Sequence, residues 1–232
     1  MGRKQINVGL VIADIDEYVH IEKAFKGISE PCNAASLTGH KVLIKGEKND
    51  IILRTVCSGI GKVNATAAAT MIAADSNILL NAGLSGGFGD AKTHDFVLGT
   101  EFYEHDFDLS ALGYEFSVKP GNEGVLVADE ALNNDILKKF PYVKKGAFVT
   151  GDSFICSEEK HNNLKARFNP IACDMESAAI AHVAKIFNIP YVSVRMVSDG
   201  ADDSSTETYR DSLFGECANG WLELVLGWLK TL

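Results

Sequence analysis

The sequence predicts an α/β fold: a single domain with a mixed, mainly parallel twisted sheet flanked by helices. Short apolar runs bounded by turn residues alternate with segments of helical periodicity, the pattern of strand–helix–strand units. Such alternation implies a sheet covered on both faces. The chain has 232 residues, 46% hydrophobic, without an internal repeat, low-complexity tract or linker, so residues 1–232 are read as one domain with a substantial core.

The elements follow in order. Residues 6–13 form a first buried strand and 16–25 the helix after it. Residues 40–48 and 50–57 are neighbouring strands joined by the tight turn Glu47-Lys48-Asn49-Asp50. An Ala-rich helix at 62–74 precedes strands at 77–84 and 95–105. Further strands are expected at 125–128, 146–150, 171–175 and 191–197. Helices are expected at 129–140, 158–168, 177–187 and 213–230.

Bulk properties exclude several classes. A net charge of -9 without clustered Lys and Arg speaks against an extended nucleic-acid surface. Cys32, Cys57, Cys156, Cys173 and Cys217 show no CxxC spacing and are odd in number, which predicts free thiols rather than a disulfide framework or zinc site. No segment approaches the roughly 18 apolar residues needed to span a membrane. The N-terminal residues lack the apolar core of a signal peptide. A cytoplasmic protein acting without membrane, nucleic acid, metal or cofactor is the expectation.

Two segments point to chemistry. Cys173-Asp174-Met175-Glu176-Ser177 ends one apolar strand, and Arg195-Met196-Val197-Ser198-Asp199 ends another some twenty residues later. In open α/β sheets, ligands bind at the carboxyl ends of strands, so these acids are placed for chemistry on a small molecule. The other motifs are weaker. Ser58-Gly59-Ile60-Gly61-Lys62 lies between strand and helix but completes neither a P-loop nor GxGxxG, and by itself is a structural turn. Asn81-Ala82-Gly83-Leu84-Ser85-Gly86-Gly87-Phe88-Gly89 is either a backbone cradle at a strand end or a tight crossover. In Gly151-Asp152-Ser153-Phe154-Ile155, the Phe-Ile pair suits a planar base or, alone, the core; Asp152 suits a turn brace. Glu17, in a first helical turn, needs no more explanation than the helix dipole. His105-Asp106 is a weak suggestion of a metal or a base.

Taken together and in order, these segments resemble the nucleoside phosphorylase/nucleosidase superfamily, and most closely the 5'-methylthioadenosine/S-adenosylhomocysteine nucleosidases. The resemblance covers nearly the whole chain, from Val8-Gly9-Leu10 with Glu17 to Ser198-Asp199. It implies a nucleoside phosphorylase-like fold and hydrolysis of the N-glycosidic bond of an adenine nucleoside carrying a 5'-thioether. It also implies a homodimer in which residues near 105–114 approach the partner's 5' pocket. The resemblance makes Asp199 the acid that protonates adenine N7, with Ser198 orienting its carboxyl, and Glu17 the acid that activates water. Glu176 binds the ribose hydroxyls and Arg195 organises the carboxylates. Phe154 and Ile155 hold the base, Met175 lies against the ribose, Tyr209 closes over the pocket, and Gly83 and Leu84 belong to the binding surface.

The sequence departs from the family pattern at named places. Leu84 stands where the nucleosidases usually carry a Ser that helps hold the water, and Ser85, next to it, is expected to point elsewhere. Ile12-Ala13-Asp14 replaces a more usual Gly-Ala-Met, and Asp174 a more common Glu. Asn81 occupies the position of a phosphate-holding Arg in the phosphorylases, which favours water as nucleophile. The competing readings are a related nucleosidase for another 5'-substituent, of futalosine or 5'-deoxyadenosine type, and a binding protein that keeps the fold without catalysis.

Overall fold

The computed structural model describes residues 3–121, 125–214 and 219–232. Its strands are β1 (Gln5–Ile12), β2 (Glu30–Pro31), β3 (Gly39–Lys45), β4 (Asp50–Cys57), β5 (Ile78–Gly87), β6 (Phe96–Glu104), β7 (Leu126–Val127), β8 (Lys144–Thr150), β9 (Ala172–Asp174) and β10 (Tyr191–Asp199). The helices are α1 (Ile15–Ala24), α2 (Lys62–Ala73), α3 (Glu130–Lys139), α4 (Glu158–Phe168), α5 (Ser177–Phe187), α6 (Ser205–Phe214) and α7 (Gly220–Leu229).

The sheet is mixed and mainly parallel in its centre, as the apolar strand pattern requires. β1 runs parallel to β4 and β5, and β5 runs parallel to β10. β10 pairs antiparallel with β6, which runs parallel to β8, and β8 runs parallel to β9. β9 then pairs antiparallel with the end of β5, so β5, β10, β6, β8 and β9 close on themselves. Closure needs a strand that can change partners, and β5 does so at Gly86 and Gly87. A Cβ on Gly86 would lie 2.8 Å from Cys173 Sγ, and one on Gly87 2.7 Å from Val197 Cγ1. Only a residue without a side chain fits that approach.

Apolar side chains on the two faces build separate cores. Leu10, Leu80 and Val192 pack with Tyr18 and Ile21 of α1, Ile136 of α3, and Trp221 and Trp228 of α7. Val11 and Leu79 pack on the other face with Ala65, Ala68 and Ala69 of α2 and Ala178, Ala181 and Ala184 of α5. The small residues of α2 and α5 let the helices lie close to the sheet and to each other.

The structure corrects some expected boundaries. β5 runs through Gly87 instead of stopping at Leu84, so the glycine run is strand, because β9 supplies hydrogen-bond partners there. β10 continues to Asp199, pairing with Gly86. The two-residue β2, held only by β3, has no apolar pattern to reveal it. In place of one helix at 213–230 there are α6 and α7, with residues 215–218 outside those described. Cys32, Cys57, Cys156 and Cys173 are free thiols, and Cys217 lies outside the described residues. Among the described residues no helix is long and apolar enough to cross a membrane.

Candidate active site

The carboxyl ends of β1, β5, β9 and β10 converge on a cavity of about 260 Å³. Five carboxylates line it, those of Asp14, Glu17, Asp174, Glu176 and Asp199, against the single guanidinium of Arg195. Ala13, Ile60, Leu84, Ser85, Gly86, Ser153, Phe154, Ile155, Cys173, Met175, Ser198 and Tyr209 complete the wall described here. A wider cleft of about 600 Å³ beside Phe116 and Phe168 is more open and has no carboxylate among its described lining residues. Converging ionisable groups, not size, single out the smaller cavity.

Arg195 organises one side. Its side chain, fully buried on β10, donates from Nη1 to the Leu84 carbonyl at 3.2 Å and from Nη2 to Asn81 Oδ1 at 2.6 Å. Nη2 also lies 3.1 Å from Asp174 Oδ2 and 3.2 Å from Glu176 Oε2. A buried guanidinium costs several kcal/mol in desolvation unless acceptors surround it; here both terminal nitrogens are met by acceptors, while the buried Nε–H has no protein partner. Burial alone would lower its pKa, but Asp174, Glu176 and Glu17 together raise it, so it stays charged.

Asp174 fixes the turn into α5. Its Oδ1 accepts from Thr150 Oγ1 at 2.7 Å and from the backbone N–H groups of Glu176 and Ser177 at 3.1 and 3.0 Å. Its Oδ2 accepts from the Ser177 hydroxyl. Glu176, two residues on, is held at both oxygens: Oε1 takes the Gly61 N–H at 3.0 Å and Oε2 takes Arg195. Burial raises the Glu176 pKa, with Arg195 opposing.

Glu17 is buried on α1, and its Oε1 accepts the backbone N–H of Leu84 at 2.9 Å. Desolvation pushes its pKa up to about 8, with the Arg195 charge and the Leu84 hydrogen bond pulling the other way. The dipole explanation for an acid in a first turn does not account for a buried carboxyl facing a strand end. Asp199 is 2% exposed at the end of β10, and its Oδ1 accepts the Ala201 N–H at 2.8 Å. Ser198 Oγ lies 2.7 Å from Asp199 Oδ2 and 3.0 Å from the Ser85 carbonyl oxygen, bridging the acid to β5.

The apolar wall is formed by Phe154, Ile155 and Met175, with Ile155 buried and Phe154 42% exposed at the rim. The Phe154 ring meets Tyr209 edge-on at 5.6 Å between centroids. Tyr209 comes from α6 and donates its hydroxyl to Asp14 Oδ2 at 3.0 Å.

The structure brings Glu17, Leu84, Phe154, Ile155, Met175, Glu176, Arg195, Ser198, Asp199 and Tyr209 around this cavity. Gly83 is different: it is absent from the lining and lies behind it. A Cβ there would sit 2.3 Å from Glu17 Oε2 and 3.0 Å from Arg195 Nη1, and its φ is +148°. Its place in the site is to let those two side chains come close. Ser85, expected to point away, is part of the lining, and its hydroxyl is buried with no protein partner. The register shift between Val197 and Asp199 disturbs strict alternation at this strand end.

Other residues named in the sequence without a place in the site turn out to build it. The Ser58–Lys62 turn, read as structural, supplies Ile60 to the wall and the Gly61 N–H to Glu176. Asp152 caps α2 from another loop, accepting the Lys62 N–H at 2.8 Å. Asp106 accepts from Lys62 Nζ at 2.6 Å and from the Asp152 N–H at 2.9 Å, so it braces the Phe154 loop. Asp14 carried a usable signal as an N-cap, since its Oδ1 accepts from Asp16 N–H at 2.9 Å.

This closed mixed sheet flanked by helices, with a carboxylate-rich cavity at its strand ends, is built by a chain whose residues 7–231 match the family model of the phosphorylase superfamily. An Actinobacillus succinogenes 5'-methylthioadenosine/S-adenosylhomocysteine nucleosidase is 36% identical over 202 residues, covering 84% of this chain and 87% of its own. A Haemophilus influenzae protein of the same name is 37% identical over 182 residues, covering 74% and 79%. The chain belongs to this nucleosidase family of the phosphorylase superfamily. A mutant Helicobacter pylori 5'-methylthioadenosine/S-adenosylhomocysteine nucleosidase with 5'-methylthioadenosine in its active site superposes with a TM-score of 0.89 at 26% identity, covering 100% of both chains. The futalosine hydrolase of the same organism gives a TM-score of 0.87 at 25% identity, covering 98% of each.

Proposed function

We propose that the chain hydrolyses the N-glycosidic bond of 5'-methylthioadenosine and S-adenosylhomocysteine, releasing adenine and a 5-thioribose product. The observation that carries this reading is the gathering of Glu17, Glu176 and Asp199 around one cavity beside an apolar wall. Adenine anion is a poor leaving group, so Asp199 gives a proton to N7 as the bond to C1' breaks. Phe154 and Ile155 hold the base. Glu176 binds the ribose hydroxyls, and its carboxylate favours the positive charge that develops on the sugar. Met175 lies against the ribose ring. Ionised Glu17 takes a proton from the water that attacks C1', and Arg195 keeps the sugar-side carboxylates in place.

Water rather than phosphate is the nucleophile in this reading. Both terminal nitrogens of Arg195, the only cationic side chain among the described lining residues, are already engaged by protein acceptors. A phosphate dianion would meet carboxylates without a free cation to receive it.

The decisive assay measures adenine release from 5'-methylthioadenosine in phosphate-free buffer. Turnover there supports hydrolysis, and turnover only after phosphate addition overturns it. Because the chain also superposes on a futalosine hydrolase, the assay includes futalosine and 5'-deoxyadenosine. Ligand binding in calorimetry without turnover would instead favour a non-catalytic nucleoside-binding protein.

The proposal places the chain, as one unit of residues 1–232, in the cytoplasm in methionine and adenine salvage. It works there as a homodimer joined near residues 105–114. Exposed Leu112 and Tyr114 in that segment support an interface. Light scattering of the purified protein tests it.

A further inference from the structure

We propose that Asp14, anchored by Tyr209, sets the 5'-substituent preference of this site toward groups carrying an ammonium or another hydrogen-bond donor. Neutral alkylthio groups rank lower and anionic groups lowest. The inference rests on the nucleosidase reading and deepens it by naming a substrate class.

Position is the first argument. Asp14 follows β1, three residues before Glu17, and lines the same cavity. If Phe154, Ile155 and Asp199 take the base, Met175 and Glu176 the sugar, and Glu17 the water, then Asp14, joined to the rim through Tyr209 and its ring contact with Phe154, is among the lining residues left for the group on C5'.

Geometry is the second. The half-buried Asp14 carboxylate is pinned at both oxygens, Oδ1 by the Asp16 N–H at 2.9 Å and Oδ2 by the Tyr209 hydroxyl at 3.0 Å. These anchors come from residues close in sequence and from the far end of the chain, so the group is oriented before any ligand arrives. A carboxylate has about four lone-pair sites. Two are used, and the remainder can accept from a donor on the ligand. An apolar side chain here would offer contact area alone; this one adds directional acceptance and negative charge.

Charge is the third. No basic side chain among the described lining residues is available to an anionic tail, because Arg195 is committed to Asn81, Asp174, Glu176 and the Leu84 carbonyl. Of the five lining carboxylates, Asp174 and Glu176 face Arg195, and Glu17 and Asp199 are given to the water and the base, so the charge offered to the tail is that of Asp14. An ammonium on the 5'-group gains from it, and a carboxylate there loses.

The test uses three nucleosides that differ only in the tail: 5'-methylthioadenosine, 5'-aminoethylthio-5'-deoxyadenosine and 5'-carboxymethylthio-5'-deoxyadenosine. Adenine release is measured for the native sequence, Asp14→Asn and Tyr209→Phe. The readout is the ratio of kcat/KM values between tails, not any single rate. The native protein is expected to prefer the cationic to the neutral tail by roughly two- to fivefold, the range of a partly screened ion pair, and to disfavour the anionic tail by at least as much. Asp14→Asn keeps an oxygen for the Asp16 N–H, and is expected to bring the cationic-to-neutral ratio to about one. Tyr209→Phe frees Oδ2 and is expected to give an intermediate ratio. Equal ratios in the native protein and Asp14→Asn would overturn the proposal, as would native preference for the neutral or anionic tail. If the native protein releases adenine from none of the three, the nucleosidase reading fails instead. Calorimetric affinities for the same three compounds then judge Asp14 by the same ratios.

Discussion

The backbone N–H of Leu84 donates to Glu17 Oε1 at 2.9 Å, so a main-chain group holds the carboxyl that the proposed reaction needs as base. The carbonyl of the same residue accepts from Arg195. The absence of a hydroxyl at Leu84 therefore leaves both ionisable partners of the strand end in place, because the contacts belong to the peptide and not to the side chain.

That arrangement depends on Gly83. In Gly83→Ala the new Cβ meets Glu17 Oε2 at 2.3 Å, and the φ of +148° is strained for any L side chain. The expected outcome is a loss of about 1–3 kcal/mol in stability together with a large fall in kcat. Urea denaturation and adenine release measure the two. Native-like activity in Gly83→Ala would show that Glu17 does not need its present position.

Glu17 also predicts the pH dependence. Burial raises its pKa from 4.5 to about 8 in the folded chain. At pH 7 only about a tenth of it is ionised in the free protein. As a base it must be ionised, so kcat/KM for 5'-methylthioadenosine should climb through pH 7, reach half its plateau near pH 8 and level off about one unit above that. Between about 4.5 and 8 the folded chain holds a proton that the unfolded chain has lost, so this group's contribution to stability falls as pH rises. Glu17→Gln should remove the ascending limb and flatten that part of the stability profile. An ascending limb that survives in Glu17→Gln assigns the base elsewhere.

Asp199 carries the proton in the proposed reaction. Asp199→Asn keeps an oxygen able to accept from Ala201 N–H but cannot deliver a proton to N7. Adenine release should fall by about 10²- to 10⁴-fold, with much smaller change in nucleoside affinity. Isothermal titration set beside initial rates tests this split. A comparable loss in affinity would make Asp199 chiefly a binding group.

Asp174 is the structural acid among the five. It joins β8, β9, α5 and Arg195 through Thr150, Ser177 and an ion pair of 3.1 Å. Asp174→Ala leaves Arg195 short of an acceptor in a buried place and uncaps the turn into α5. A loss of about 3–5 kcal/mol is expected in chemical denaturation. A loss below 1 kcal/mol would mean that Glu176 and Asn81 suffice for Arg195.

Much of the architecture was legible in the order of residues. Buried strands announce themselves by unbroken apolar runs such as Ile78-Leu79-Leu80, and helices by their period, because both patterns report local burial. The acids of Asp174-Met175-Glu176 and Ser198-Asp199 were legible too, since each sits where a strand pattern stops.

What the order of residues left open were the partners. Glu176 meets Gly61, Asp152 caps α2 at Lys62, and Asp14 meets Tyr209 across 195 positions. Periodicity describes which face of an element is buried, but not which distant element covers it. The same limit hid the strand character of Gly86 and Gly87, whose hydrogen bonds come from β9, and gave Glu17 a dipole where the fold gives it a buried carboxyl. Sequence determined that acids would stand at the strand ends. Only the closure of the sheet decided that they would face one another, because desolvation and pairing act between elements far apart along the chain.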